Sequence, residues 1–130
     1  YRRQASELTD LERQENHTKT GVHIGAHCLV AVNGLEVPIF IADYVLMGYG
    51  TGAVMSVPGQ DQRDWDFAKA FEIEIIRTVE PPSTFEGEAY VGDGPAINSG
   101  FLNGLYIDDA KQAMIGWLER EKCGARTVTY

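Results

Sequence analysis

The chain has 130 residues, 44% of them hydrophobic and 23% charged, and a formal net charge of −8; this is one domain's worth of sequence with enough apolar content for a real core. No apolar run approaches the ~18 residues of a membrane span, so a membrane partner is not expected. Residues 1–20 carry four acids and four basic residues, leaving 15 acids against 7 basic residues in the remainder. So acidic a body has few cations to displace phosphate counterions, and tight nucleic-acid binding by this chain alone is not expected. Cys28 and Cys123 lack CxxC spacing and are expected as buried free thiols of a reducing, cytoplasmic compartment. The chain starts at Tyr1 with no signal pattern, and both ends read as cut from a longer protein.

In chain order, residues 6–17 are helix-forming and mostly polar, with Leu8 and Leu11 as their apolar contacts. Thr18 to Gly21 reads as a turn, and Val22 to Val32 supplies β-branched residues for one strand or two short ones. Asn33-Gly34 is the strongest hairpin signal in the chain, with Glu36 to Ile41 as the returning strand and Pro38 marking an edge or irregular stretch. His23 and His27 are four apart, but two glycines flank this β-branched run and no further Cys or His supports a metal site. Gly48 to Gly52 superficially resembles a phosphate loop, yet the apolar run after it does not open a helix.

The most informative stretch runs from Tyr49 to Phe67. Gly50 and Gly52 permit backbone angles closed to other residues, Ala53 to Val57 reads as a tightly packed strand, and Pro58-Gly59 ends it. From Asp61 to about Glu72 the period becomes helical: Asp61, Asp64, Ala68 and Phe71 share one stripe. Two carboxylates therefore stand at a helix start, where the free amides and the dipole favour negative charge and keep a carboxylate ready to hold an ammonium group. The plainer alternative makes Asp61 an N-cap and Asp64 its third-position companion. Ile73 to Val79 reads as a strand, residues 83–104 as glycine-rich loop, and Ile107, Ala110, Met114, Trp117 and Leu118 as the stripe of a last helix capped by Asp108 and stopped by Gly124. Arg126 to Tyr130 reads as the beginning of another strand. The geometry of Asp93 and its neighbouring acids fixes no magnesium site.

The run from Val45 to Phe67, with YGTGAVMSVPGQDQRD at Tyr49 to Asp64, resembles the central motif of the editing domain inserted in bacterial-type leucyl-tRNA synthetases, usually YGTGAVM-x-VP-(A/G)-H-D-x-R-D. Met55 and Arg63-Asp64 favour the leucyl branch over its valyl and isoleucyl relatives, and Gly94 to Leu105 is similar too, so the likeness covers residues 20–130. The usual His stands as Gln60 here, which bears on any proton transfer at that position. The resemblance implies an α+β fold with a barrel-like sheet and peripheral helices, as a single editing-domain piece: residues 1–20 a peripheral helix, 21–80 the core with the motif, 81–130 a loop-rich segment and final helix. It implies hydrolysis of mischarged aminoacyl-tRNA(Leu) within a parent that ligates leucine to tRNA with ATP and magnesium, and no cofactor or metal in this piece itself. The tRNA acceptor end would reach it through the parent. By the same resemblance Asp64 would hold the substrate ammonium, Asp61 would position ribose or water, Leu46, Tyr49, Val54 and Met55 would line the pocket, and Tyr49 and Met55 among them would meet the terminal adenosine. The family's threonine-rich wall is not found in residues 1–20, so half a site and an inactive fragment are expected. His23 to His27 does not make the nucleotide-binding signature of ligation. From another class, the alternative is a noncatalytic acidic docking module.

Overall fold

Thr9-Asp-Leu-Glu12 is a capping box: the Glu12 carboxylate accepts from the Thr9 amide at 2.7 Å while the Thr9 hydroxyl accepts from the Glu12 amide at 3.2 Å. These reciprocal bonds start a new helix inside the stretch expected to be one. The computed structural model, which describes residues 1–15 and 18–128, accordingly has α1 at Arg2–Ser6 and α2 at Asp10–Glu15; Asn16 and His17 of the expected helix lie outside the described residues.

The hairpin forms where Asn33-Gly34 places it. Strand β1 (Gly21–Leu29) pairs antiparallel with β2 (Glu36–Ala42), and the turn closes through Val30, whose carbonyl accepts from the Gly34 amide at 2.8 Å. The register shifts between His23 and His27, at the left-handed Gly25 (φ 79°), so Pro38 falls beside the irregularity. Among the described residues the sheet has these two strands only and is not closed; the mixed helix-and-sheet class holds.

Two expected strands are absent. Residues 53–57 form no strand, with Val54, Met55 and Val57 48%, 73% and 44% exposed. Of Ile73 to Val79, only Val79 bridges, to Ala96. The local pattern supplied β-branched residues, but a strand needs a neighbouring backbone, and the amides here go elsewhere: Ile73 donates to Ala68 at 2.8 Å to close the preceding helix.

That helix, α3 (Gln62–Ala70), begins at Asp61 as expected but stops before Glu72, which takes a left-handed φ of 55°. Its inward face carries Asp64, Phe67 and Ala68, and Phe67 stacks on Phe71 at 4.4 Å between ring centroids. Helix α4 (Ile107–Arg120) carries its apolar stripe half-buried, but two of its expected boundaries move. Its N-cap is Tyr106, which makes no side-chain cap; the Asp93 carboxylate instead accepts from the Ile107 amide at 3.1 Å, and Asp108 sits in the first turn. At the other end, left-handed Lys122 (φ 56°) and a bond from the Cys123 amide to the Leu118 carbonyl end the helix before Gly124. Residues 125–128 form no strand, and Thr129 and Tyr130 lie outside the described residues.

The chain divides into two compact units, Tyr1–Ser56 and Val57–Tyr130. Among the described residues the buried apolar ones, Phe67, Ala68, Val79 and Ala96, belong to the second. The first is a hairpin with helical turns, held by contacts such as the Tyr1 hydroxyl donating to the Thr20 carbonyl at 2.9 Å. Cys28 and Cys123 are both exposed, against the buried thiols expected: Cys28 lies on a strand face with no covering layer among the described residues, and Cys123 lies beyond the end of α4.

Candidate functional site

Within the second unit the motif makes a tight knot at the start of α3. The Val57 carbonyl accepts from the Gln60 amide at 2.9 Å and the Asp61 amide at 3.0 Å, folding Val57-Pro58-Gly59-Gln60 into a turn. Gly59 is buried at the inside of that turn, where a Cβ would stand 3.3 Å from the Arg77 Cα and the Ile76 carbonyl oxygen, closer than most side chains tolerate. Glycine at this position of the chain thus allows close approach of two backbones. Its carbonyl accepts from the Tyr90 amide at 2.9 Å.

Asp61 is the N-cap of α3. Its backbone is extended (φ −130°, ψ 125°), and its Oδ1 accepts from the Arg63 amide at 2.9 Å and the Asp64 amide at 3.2 Å. The Arg63 guanidinium returns over it, Nη2 to Oδ2 at 3.2 Å, with Arg63 exposed and Asp61 half-buried. Burial weighs against the charged carboxylate, but the Arg63 side chain and the two amides outweigh it and hold the Asp61 pKa below the ordinary carboxylate range.

Asp64 sits one turn in and is 8% exposed. Its Oδ2 accepts from the Val57 amide at 2.8 Å, so a carboxylate from the first helical turn holds the residue at which the knot begins. The two aspartates expected to act together are therefore neighbours with different duties: Asp61 caps the helix at the surface, and Asp64 turns inward and clamps the backbone before it. Spacing showed the shared stripe; it did not show the Val57 contact, because an amide donor leaves no mark in a sequence. Two further partners escaped the sequence reading. Arg63 is the cation over Asp61, and Gln60, at the position where the motif usually has histidine, accepts from the Thr78 hydroxyl at 3.1 Å. That contact spans eighteen residues and has no local signature.

The expected pocket residues belong to the first unit. Leu46 and Tyr49 lie in the turns after β2, where the Tyr49 amide donates to the Leu46 carbonyl at 3.2 Å and the Gly52 amide to the Tyr49 carbonyl at 3.0 Å. Gly50 and Gly52 take φ of 57° and 77°, as the sequence requires of them. Tyr49 and Met55 are each 73% exposed, and Leu46 is half-buried. Asp61 and Asp64 thus come together in one unit, and Leu46, Tyr49, Val54 and Met55 lie in the other.

No group of three His, Cys, Asp or Glu side chains among the described residues is arranged to hold a metal ion. His23 and His27 meet edge to face at 5.3 Å on the exposed hairpin, and Asp93 Oδ1 is engaged by the Gly94 and Ile107 amides. No described helix is long and apolar enough to cross a membrane.

The family model described as leucyl-tRNA synthetase, editing domain, matches residues 1–119. Among curated relatives, the leucine–tRNA ligase of Saccharopolyspora erythraea is 58% identical and that of Salinispora tropica 55% identical, each across the whole of this chain. That of Nocardia farcinica is 51% identical, again across the whole chain. In each case the match covers 14% of the relative's length, so the chain spans about a seventh of these ligases. Nothing in these likenesses supports the noncatalytic docking module.

Proposed function

The chain belongs to the leucyl-tRNA synthetase editing-domain family, and from that premise we propose that it supplies part of a proofreading site which hydrolyses the ester of a wrongly charged tRNA(Leu). The need is physical: one methylene is worth only about 1–3 kcal/mol of discrimination in an apolar pocket, so a second site must sort the products of the first. The observation that carries the proposal is the carboxylate pair built onto the Val57–Asp61 knot, with Asp61 held ionised at a helix start and Asp64 fixed by the Val57 amide.

In this reading Asp64 holds the α-ammonium of the misattached amino acid and Asp61 orients the terminal ribose or the attacking water. Water adds to the ester carbonyl, the bond to the ribose oxygen breaks, and free amino acid and tRNA leave. The site contributes by positioning the reactants. Leu46, Tyr49, Val54 and Met55 line the pocket and Tyr49 and Met55 take the terminal adenosine, a role for which the exposure of those two suits them.

Residues 1–130 act as one piece of the editing domain, with 1–20 peripheral, 21–80 carrying the motif and 81–130 completing it. The barrel-like sheet is closed by strands from the rest of the longer protein. The exposed apolar side chains of Val22, Ile24, Leu35 and Ile41 on the hairpin support this, since a two-stranded sheet buries too little to stand alone. The longer protein also brings the threonine-rich wall, the tRNA acceptor end, and the ATP and magnesium of ligation, and works in the cytoplasm.

The test is deacylation of isoleucyl-tRNA(Leu) by the longer protein containing this chain, with and without the double change Asp61→Ala/Asp64→Ala. Loss of hydrolysis by about 100-fold or more with leucine ligation retained is expected. Unchanged hydrolysis would remove the pair from the site.

A further inference from the structure

A groove of about 380 Å³ lies in the second unit, at the small end of the range for ligand pockets; none of residues 57–64 lines it, although Tyr90 joins it to the α3 knot through the Gly59 carbonyl, and the proposed hydrolysis does not use it. Its lining includes Glu80, Pro81, Tyr90, Asp93, Pro95 and Tyr106. The walls are built from the backbone outward. The buried Val79–Ala96 bridge and the bond from the Glu80 amide to the Pro95 carbonyl, 2.9 Å, tie one wall to the other. Gly94 is buried at the crossing, where a Cβ would fall on the Glu80 carbonyl oxygen.

The two side chains that give the groove its chemistry are likewise held before any ligand arrives. Tyr90 meets Phe85 edge to face at 5.1 Å, and its hydroxyl donates to the Asp93 carbonyl at 2.7 Å. Asp93 is oriented by the Gly94 amide at 2.8 Å and the Ile107 amide at 3.1 Å, both on Oδ1. A divalent metal fits this poorly, because the lining offers it two carboxylates, one of them already engaged on Oδ1 by two amides, and no third His, Cys, Asp or Glu side chain. A phosphate fits worse, since the lining contains two carboxylates and no cation.

We propose that the groove between Glu80–Pro81 and Tyr90–Pro95, closed at one side by Tyr106, binds a small organic cation of the guanidinium class. A guanidinium is planar and weakly hydrated, so it lies against a tyrosine face, its alkyl chain covers proline rings, and its N–H fork meets a carboxylate. Glu80 and Tyr106 are both exposed and supply the contacts the ligand meets first. The site is independent of the hydrolytic reading and stands or falls without it.

The probe is butylguanidinium, titrated into the 130-residue chain and followed by amide and tyrosine-ring NMR shifts. Butylurea, of nearly the same shape but without charge, serves as the comparator. Saturable shifts confined to residues 80–83, 90–95 and 106–107, with butylurea at least about tenfold weaker, are expected. Glu80→Gln and Tyr106→Leu change exposed side chains, and each should weaken the guanidinium by about fivefold or more while leaving the remaining shifts in place. Equal binding by butylurea, non-saturating shifts spread over acids elsewhere, or unaltered affinity in both variants would each overturn the proposal.

Discussion

Replacing Asp64 tests the clamp and the proposed ammonium anchor separately, because Ala removes both and Asn removes only one. Asp64 Oδ2 accepts from the Val57 amide at 2.8 Å from a residue 8% exposed, a charge-assisted bond in the class worth about 1.5–3 kcal/mol. Val57 itself is 44% exposed, so water can reach its amide once the carboxylate is gone, and the loss for Asp64→Ala belongs at the lower end, about 1.5–2 kcal/mol. For a chain of this size that is roughly 3–5 °C in melting temperature per kcal/mol. Asn keeps an acceptor for Val57 without the charge, so Asp64→Asn should cost no more than about 1 kcal/mol. Hydrolysis should divide differently. An ammonium contact worth about 1.5–3 kcal/mol in the transition state corresponds to roughly 10–150-fold in rate, lost equally in Ala and Asn. The assays are thermal melts of the chain and deacylation of isoleucyl-tRNA(Leu) by the longer protein carrying each variant. If Asn hydrolyses at nearly the parent rate, Asp64 is a backbone clamp and not an anchor; if Ala leaves the melt unchanged, the reasoning from the Val57 bond is wrong.

Asp61→Ala should remove an N-cap worth about 1 kcal/mol. Because the Asp61 pKa is lowered in the folded chain, its contribution is complete above the unfolded value near pH 4 and is lost as pH falls through the lower folded value. The melting difference between parent and variant should therefore hold steady from pH 7 to 5 and shrink toward pH 3; a difference that widened in acid would contradict the assignment. Gly94→Ala should destabilise by about 1–3 kcal/mol, since the new Cβ lands on backbone, whereas Gly116→Ala inside α4 meets only the Arg120 guanidinium and should stabilise by up to about 1 kcal/mol. Chemical denaturation of both variants checks the contrast. Asp93→Ala should cost about 1 kcal/mol and fray the start of α4, read as a loss of helical circular dichroism and faster amide exchange near Ile107.

What the sequence determined by itself is what neighbours in the chain decide. Asn33-Gly34 set the hairpin, since the turn closes on itself. The three- and four-residue spacing after Asp61 set α3, because the capping oxygen and the amides it accepts lie within three residues. The long motif from Tyr49 to Asp64 identified the family, and the glycines at 50 and 52 take the left-handed angles it requires. Thr9-x-x-Glu12 was legible too, as a second helix start, and went unread behind the helical composition around it.

Tertiary structure alone decided where the hydrogen bonds of extended segments go. Ala53 to Val57 and Ile73 to Val79 have the residues of strands, but strand formation depends on a partner backbone that no local pattern supplies. The same limit hid the remote cap of α4: Asp108 had the right residue type but falls in the first turn, and Asp93, fourteen residues before Ile107, reaches the Ile107 amide. It also hid the duty of Asp64, whose periodicity put it on the inward stripe but whose bond to Val57 exists only because Pro58 and Gly59 fold the chain back across the helix start. Period and capping are short-range, so sequence carries them; which carboxylate meets which amide depends on how the intervening backbone turns, and only the folded chain fixes that.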